Sequence, residues 1–183
     1  MMKPVIISGG PGAGKTSLIR ALGARGIATF EEASRRLIEQ QSRLPDGILP
    51  WDDLPGFARL CFDVMCVQKQ QAATCPVALL DRGIPDICAY LMEAGLAVDQ
   101  AYRTECEGYH PQVLMCRPEA SIYVQDEVRP YPFEQALVIH EQLIATYRTL
   151  GFDVIEVPFA SLALRARFVI DVLGLEQAQA SGN

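Results

Sequence analysis

The segment 9–16, with the sequence GGPGAGKT, matches the phosphate-binding pattern G-x-x-x-x-G-K-[ST] at every defined position. Its glycines allow the backbone to turn so that successive N–H groups converge on phosphate oxygens. The helix predicted to follow would present its positive N-terminal end to the same anion. We expect Lys15 to reach the β- and γ-phosphates of a nucleotide and the Thr16 hydroxyl to ligate Mg²⁺. The expected nucleotide contacts come from Gly10, Pro11, Gly12, Ala13, Gly14, Lys15, Thr16 and Ser17.

A second group of polar residues follows the apolar run that ends at Leu80. Asp81 would hold Mg²⁺, directly or through water, or would orient an attacking group, and Arg82 would bind a substrate anion or the transferred phosphate. The alternative is that Asp81 caps the next helix and Arg82 forms a surface ion pair. Asp86 lies one helical turn further along. There, the role of a first-turn acid is favoured over substrate binding.

Short apolar runs alternate along the chain with longer stretches of helical periodicity. The runs predict five strands, at residues 3–8, 27–30, 76–80, 112–116 and 153–157. The longer stretches predict seven helices, at residues 15–24, 31–41, 54–74, 84–94, 99–108, 133–150 and 161–173. Strands that alternate with helices indicate an α/β fold, a three-layer α/β/α sandwich around a parallel sheet.

Ligands of such sheets bind at the carboxyl ends of the strands. The segments that follow the five predicted strands should therefore converge on one cleft; they are residues 9–16, 31–36, 81–86, 116–117 and 158–160. No composition shift divides the chain, so we expect a single domain over residues 1–175. The small polar residues of 176–183 predict a flexible tail.

The composition is that of a globular protein, with 183 residues, half of them apolar, and a net charge of −6. The acidic balance argues against nucleic acid as the main ligand, and no apolar run approaches the roughly 20 residues of a membrane span. Six cysteines without C-x-x-C spacing and only two histidines argue against a zinc site. With no signal-peptide pattern before the first strand, we expect reduced thiols and a cytoplasmic location. We expect His140 to be exposed on its helix, and a packing role for Trp51 is favoured over lining an acceptor pocket.

The chain resembles a known family through several segments in a fixed order. These are GGPGAGKT at 9–16, EEASR at 31–35, DRGIPDICAY at 81–90, DEVR at 126–129, YRTLGF at 147–152 and VP at 157–158. Together they are similar to small P-loop proteins of the AAA type. That family is related to the nicotinamide-riboside kinase domain and, more distantly, to thymidylate and deoxynucleoside kinases. The resemblance extends from about Val5 to about Leu173.

This resemblance implies a P-loop NTPase sheet of order 2-3-1-4-5 that binds ATP, or another purine nucleoside triphosphate, with Mg²⁺. It implies a small lid over residues 117–132 that carries Arg129 onto the γ-phosphate. It places Glu32 near the phosphate acceptor and Arg35 where it would hold an acceptor anion. It also places Phe159 beside the adenine. The alternatives are that Glu32 is only an acid of the first helical turn and that Arg35 and Arg129 are solvated surface residues.

Two departures from the family pattern concern the acceptor. The lid has one clear arginine where many nucleoside kinases have several, and no proline and tryptophan follow the acid after the second strand. Two functions stay open. The favoured one is a Mg²⁺-dependent phosphotransferase that moves the γ-phosphoryl group of ATP to a small, nucleoside-like molecule. In it, Lys15, Asp81, Arg82, Arg129 and Glu32 would be catalytic, with Glu32 as base or acceptor-binding group. The alternative is a regulatory nucleotide switch that acts on a protein partner.

Overall fold

The computed structural model describes residues 1–125 and 132–175. Its core is one five-stranded sheet, formed by β1 (Val5–Gly9), β2 (Ala28–Phe30), β3 (Ala78–Asp81), β4 (Gln112–Cys116) and β5 (Asp153–Val157). The strands lie in the order β2-β3-β1-β4-β5 and every neighbouring pair is parallel. The central strand β1 pairs Val5 with Leu79 on one side and Ile7 with Leu114 on the other. The predicted α/β sandwich and its strand order are confirmed.

Within residues 1–125 and 132–175, seven α-helices cover the two faces of this sheet. They are α1 (Lys15–Gly23), α2 (Ala33–Gln41), α3 (Leu54–Ala72), α4 (Ile84–Glu93), α5 (Gln100–Glu105), α6 (Phe133–Thr149) and α7 (Leu162–Val172). Alternate residues of β1 point to opposite faces, as strand geometry requires. Val5 and Ile7 belong to a core shared with α1 and α7, whereas Ile6 belongs to a core shared with α2 through α6. The result is two apolar cores with the sheet between them.

The start of α2 differs from the sequence-based prediction. The predicted helix included Glu31 and Glu32 in its first turn, but α2 begins at Ala33 and Glu32 has the extended φ and ψ of −58° and 113° at the N-cap position. The reason is tertiary. The Glu32 carboxylate forms an ion pair with Arg82, which follows β3, and this pairing holds Glu32 outside the helix. The other predicted elements match the observed ones to within two residues at each end, except α5, which ends at Glu105, three residues before the predicted end.

The lid and tail predictions fall partly or wholly outside the described residues. Arg129 and the rest of 126–131 lie outside them, as does the tail 176–183. The described part of the predicted lid contains a 3₁₀ turn at Ala120–Ile122. Within residues 1–125 and 132–175, no helix is long and apolar enough to cross a membrane. The cytoplasmic location stays a prediction.

Candidate active site

The glycine-rich segment 9–16 connects β1 to α1 at the carboxyl end of the sheet. Gly9 has a φ of 146°, and a Cβ there would lie 1.9 Å from the carbonyl oxygen of Cys116 on β4, so only glycine allows the two strands to approach this closely. Gly14 has a φ of 69° immediately before α1. Lys15 begins that helix and is 7% exposed. Burial, together with the charge of Arg82, lowers the pKa of the Lys15 ammonium.

Two buried side chains, one on α6 and one on α7, form hydrogen bonds with the backbone of this loop. The N–H of Gly10 donates to Nδ1 of His140 on α6 at 3.4 Å, and Nη2 of Arg165 on α7 donates to the carbonyl oxygen of Ala13 at 2.9 Å. The expectation that His140 is exposed is wrong, since the side chain is fully buried. Burial lowers the pKa of His140 to about 4, so the ring is neutral and Nδ1 is free to accept.

Sequence reasoning missed both of these residues, yet a signal existed for His140. It falls on the same face of α6 as Ala136, Ile139, Leu143 and Tyr147, which are all buried. A histidine on the apolar face of a helix is buried with its neighbours and needs a hydrogen-bond partner. For Arg165 the spacing carries no comparable signal.

Arg82 connects three parts of the site. Its guanidinium donates from Nη1 to the carbonyl oxygen of Gly9 at 3.0 Å and to Oδ1 of Asp86 at 3.2 Å, and its Nε lies 3.2 Å from Oε1 of Glu32. The backbone of Arg82 has a φ of 70°, which is uncommon for a residue other than glycine. The side chain is 7% exposed, so the alternative of a surface ion pair is wrong.

Asp86 is the centre of a buried hydrogen-bond network. Its Oδ1 accepts from Ser8 at 2.5 Å as well as from Arg82, and its Oδ2 accepts from the hydroxyl of Tyr147 at 2.5 Å and from the N–H of Gly83 at 2.9 Å. Both oxygens therefore have protein donors, and the side chain is almost fully buried. The favoured sequence interpretation, an acid of the first helical turn, agrees with this geometry. The substrate-binding role does not, because no oxygen of Asp86 is left for a ligand.

Glu32 presents an ionised carboxylate to the cleft. Its Oε1 accepts from the Ser34 hydroxyl at 2.7 Å in addition to its pairing with Arg82. Although burial opposes ionisation, the charges of Arg82 and Lys15 and the Ser34 hydrogen bond together lower the pKa of Glu32 to about 2. A carboxylate with this pKa is a weak proton acceptor near neutral pH. It is well suited to accept a hydrogen bond from a hydroxyl group.

Asp81 ends β3 beside the loop and carries an unsatisfied atom. The residue is 4% exposed, and its Oδ1 has no hydrogen-bond partner in the part of the chain that the structure describes. Burial raises the pKa of Asp81, and the nearby Lys15 charge only partly opposes this. An orphaned carboxylate oxygen on β3, which pairs with the strand that leads into the loop, fits the hard oxygen ligands that Mg²⁺ prefers, as does the exposed hydroxyl of Thr16. Residues 1–125 and 132–175 contain no group of three His, Cys, Asp or Glu able to hold a metal alone.

A cleft of about 890 Å³ is lined by the loop and by residues of α2, α3, α4 and the segment between α2 and α3. We call the part lined by these helices and this segment the second compartment. The predicted site residues that line the cleft are residues 11–17 of the loop together with Glu32, Arg35, Arg82 and Asp86. Phe159 does not line it and is 57% exposed. Arg117, the first residue of the predicted lid, forms an ion pair with Glu141 at 2.9 Å. Trp51 lines the cleft and is 59% exposed, so the expected packing role for this residue is wrong.

Residues 4–165 match the model of a protein family described as the AAA domain. The chain belongs to this family. The matched residues of the AAA domain include the loop, all five strands and every described residue that lines the cleft. The predicted resemblance is therefore confirmed. No curated protein sequence matches the chain significantly.

Several solved structures share the fold of this AAA domain. A NadR protein in complex with NR aligns with a TM-score of 0.70 and 19% identity, over 94% of this chain and 50% of that one. A deoxyadenosine kinase from M. mycoides aligns with a TM-score of 0.65 and 16% identity, over 94% and 99% of the two chains. A shikimate kinase from Acinetobacter baumannii, in complex with shikimate, has a TM-score of 0.59 and 15% identity, over 95% and 94%. At identities this low, the similarity establishes a common fold and does not establish a common reaction.

Proposed function

We propose that the protein is a Mg²⁺-dependent phosphotransferase that moves the γ-phosphoryl group of ATP to a hydroxyl group of a small molecule. One observation carries the proposal. A single cleft is lined both by the phosphate-binding loop and by the second compartment. The charge of the Glu32 carboxylate affects the pKa of Lys15 in the loop and the pKa of Cys61 in the second compartment, so Glu32 lies close to both. A nucleotide switch needs only the phosphate-binding loop. The solved structures with the same fold include proteins named as kinases of deoxyadenosine and of shikimate, both small molecules.

On this proposal the loop is the donor site. The backbone of residues 10–17 would surround the triphosphate, and Lys15 would reach the β- and γ-phosphates. Phe159, exposed in the loop after β5, is the candidate contact for adenine. Mg²⁺ would be held by Thr16 and Asp81, and when bound it neutralises charge on the phosphates. The lid residue Arg129 would add positive charge over the γ-phosphate.

The acceptor would enter from the second compartment. Its hydroxyl oxygen would form a bond to the γ-phosphorus while the bond to the bridging oxygen of ADP breaks, and the hydroxyl proton would be released. Glu32 would accept a hydrogen bond from this hydroxyl and orient it. Arg82 would stabilise charge on the transferred group through Nη2, which has no protein partner in the described residues. Arg35, exposed at the cleft, would hold the anionic product.

The proposal is tested by measuring ADP formation with and without a panel of acceptors. We expect at least one acceptor to raise the rate about tenfold or more, and its phosphorylated form to appear by mass spectrometry. Arg35→Gln should raise the KM for that acceptor, whereas Arg36→Gln, an exposed neighbour on α2 that does not line the cleft, should leave it unchanged. Hydrolysis at a rate that no acceptor changes would contradict the phosphotransferase and favour the switch.

A further inference from the structure

The second compartment of the cleft is surrounded mainly by apolar side chains. We call it the acceptor pocket and define it by the lining residues Ile38, Pro50, Trp51, Leu54, Phe57, Ala58, Cys61, Met65, Ile87 and Leu91. They come from α2, the loop after it, α3 and α4. Burial raises the pKa of the Cys61 thiol to about 12, so this residue too is uncharged at neutral pH. Among these described residues, the Trp51 indole N–H at the exposed rim is the only polar side-chain group besides that thiol.

The other polar lining groups come from residues 15–20, 32–35 and 82–90, and four of them already have side-chain partners. Ser34 donates to Glu32, Asp86 has four protein donors, and Arg82 uses Nε and Nη1 within the protein. Apart from the groups of the loop and α1, this leaves four groups in the described residues for a ligand: Oε2 of Glu32, Nη2 of Arg82, the exposed Arg35 guanidinium and the Tyr90 hydroxyl, which lies near Arg82. These groups suit one hydroxyl that becomes phosphorylated.

The small number of free polar groups in this lining disfavours a heterocyclic base as the ligand of the acceptor pocket. Each nucleobase has several donors and acceptors along its edges, and burying them against apolar walls without partners is costly. Sites that recognise such edges place hydrogen-bonding side chains opposite them. Within the described lining, no asparagine, glutamine, histidine or threonine occurs in the acceptor pocket. An apolar ligand would lose no hydrogen bonds there.

We propose that the acceptor is an alcohol with an apolar body, an aromatic or branched hydrocarbon that carries one primary hydroxyl, and not a nucleoside. The hydrocarbon fills the acceptor pocket, and the hydroxyl reaches Glu32. The inference rests on the proposed phosphotransferase function for the fate of the hydroxyl. The binding preference itself does not depend on turnover, so the two are tested separately.

Trp51 supplies the binding measurement, because it is the only tryptophan of the chain and lines the pocket. The probes are the phenylalkanols from benzyl alcohol to 4-phenylbutanol, with uridine and adenosine for comparison. We expect the Kd from Trp51 fluorescence to fall about fourfold for each added methylene. The longest alcohol should bind at least about tenfold more tightly than either nucleoside. A Kd independent of chain length, tighter nucleoside binding, or no binding of the alcohols would overturn the inference.

A matched pair of variants locates the site. Leu54→Asn places an amide in the pocket, and Val67→Asn makes the same change at an exposed position of α3 that does not line the cleft. We expect Leu54→Asn to raise the Kd for 4-phenylbutanol about tenfold, and Val67→Asn to have no effect. Neither variant should alter the Kd for ATP. Equal effects of the two variants would place the alcohol elsewhere and overturn the inference.

Product analysis separates this inference from the proposed function. If the alcohols bind in the predicted order but no phosphoalcohol forms with ATP and Mg²⁺, the apolar preference stands and the phosphotransferase fails. If nucleosides become phosphorylated and the alcohols do not, the phosphotransferase stands and the apolar acceptor fails. Formation of phosphoalcohol, at a rate that falls in Leu54→Asn and not in Val67→Asn, supports both.

Discussion

Burial of the ionised Asp81 carboxylate costs free energy that the nearby positive charges do not offset. Burial is the main reason that its pKa is raised, and its Oδ1 lacks a hydrogen bond in the described part of the chain. A group whose pKa is higher in the folded state than in the unfolded state lowers stability at pH values above both. Stability is therefore lost as the pH rises from about 4 through the raised value. A residue that destabilises the fold and lies on the strand beside the phosphate-binding loop fits a functional role.

Asp81→Asn separates these two effects. We expect the free energy of unfolding without ligand to rise by on the order of 1 kcal/mol at pH 7, because the amide removes a buried charge. Turnover of ATP with Mg²⁺ should fall by on the order of 100-fold, because a metal ligand is lost. Urea unfolding and ADP formation measure the two quantities. Asp63→Asn, an exposed partner of Arg59, is the control and should preserve turnover. A destabilised but fully active Asp81→Asn would contradict the assignment.

Helices α6 and α7 position the phosphate-binding loop although neither adjoins it in sequence. His140 and Arg165 hydrogen-bond the backbone on opposite sides of Gly12, at Gly10 and Ala13. His140 accepts only while it is neutral, and burial keeps it so by lowering its pKa to about 4. Its contribution to stability is complete above the ordinary histidine pKa of about 6.5 and is lost as the pH falls towards 4.

His140→Gln should therefore change the pH dependence of stability. Between pH 7 and 5, burial of neutral His140 accounts for a loss of about 1–2 kcal/mol in the free energy of unfolding of the natural chain, and the variant should lose that much less. The glutamine oxygen can still accept from Gly10. Chemical denaturation at the two pH values provides the measurement. His110→Gln, at the half-buried second histidine, should keep the slope of the natural chain. An unchanged slope in His140→Gln would contradict the role of its neutral form.

The sequence could predict those parts of the site that are formed by one continuous segment of the chain. The loop 9–16 requires only eight consecutive residues, and its strand and helix adjoin it. By contrast, His140 lies 130 positions from Gly10, and Arg165 lies 152 positions from Ala13. Asp86 meets Ser8 and Tyr147 across separations of 78 and 61 positions. Such contacts depend on how the sheet brings distant elements together, so the spacing of residues within one segment does not predict them. The start of α2 was mispredicted for the same reason, because Glu32 pairs with Arg82.

At the scale of the whole molecule, nucleotide binding should stabilise both apolar cores, because the loop joins them. α1 belongs to one core, whereas His140 and the network around Asp86 belong to elements of the other. A ligand that binds only the folded state at 100 times its Kd adds about 2.7 kcal/mol. For a domain of this size that corresponds to a rise in Tm of roughly 5–10 °C.

This rise is expected with ATP and Mg²⁺ in a thermal unfolding experiment. Lys15→Met should abolish most of it, since the variant removes the cation that contacts the phosphates. Lys3→Met, at an exposed position outside the cleft, should retain it. An equal rise in Lys15→Met would show that the nucleotide binds elsewhere.

The left-handed backbone of Arg82 has a consequence for the routes by which this sequence can change. That conformation costs an arginine about 1–2 kcal/mol, which a glycine would recover. The same substitution would remove the cation that Glu32 and Asp86 share, and breaking a buried pair costs about 3–5 kcal/mol. Arg82→Gly should therefore destabilise the chain by a net of about 1–4 kcal/mol while Glu32 and Asp86 are present, and by less once both carboxylates have been replaced. The effect of a substitution at position 82 on the free energy of unfolding thus depends on the residues at positions 32 and 86. We expect these three positions to change together in related sequences.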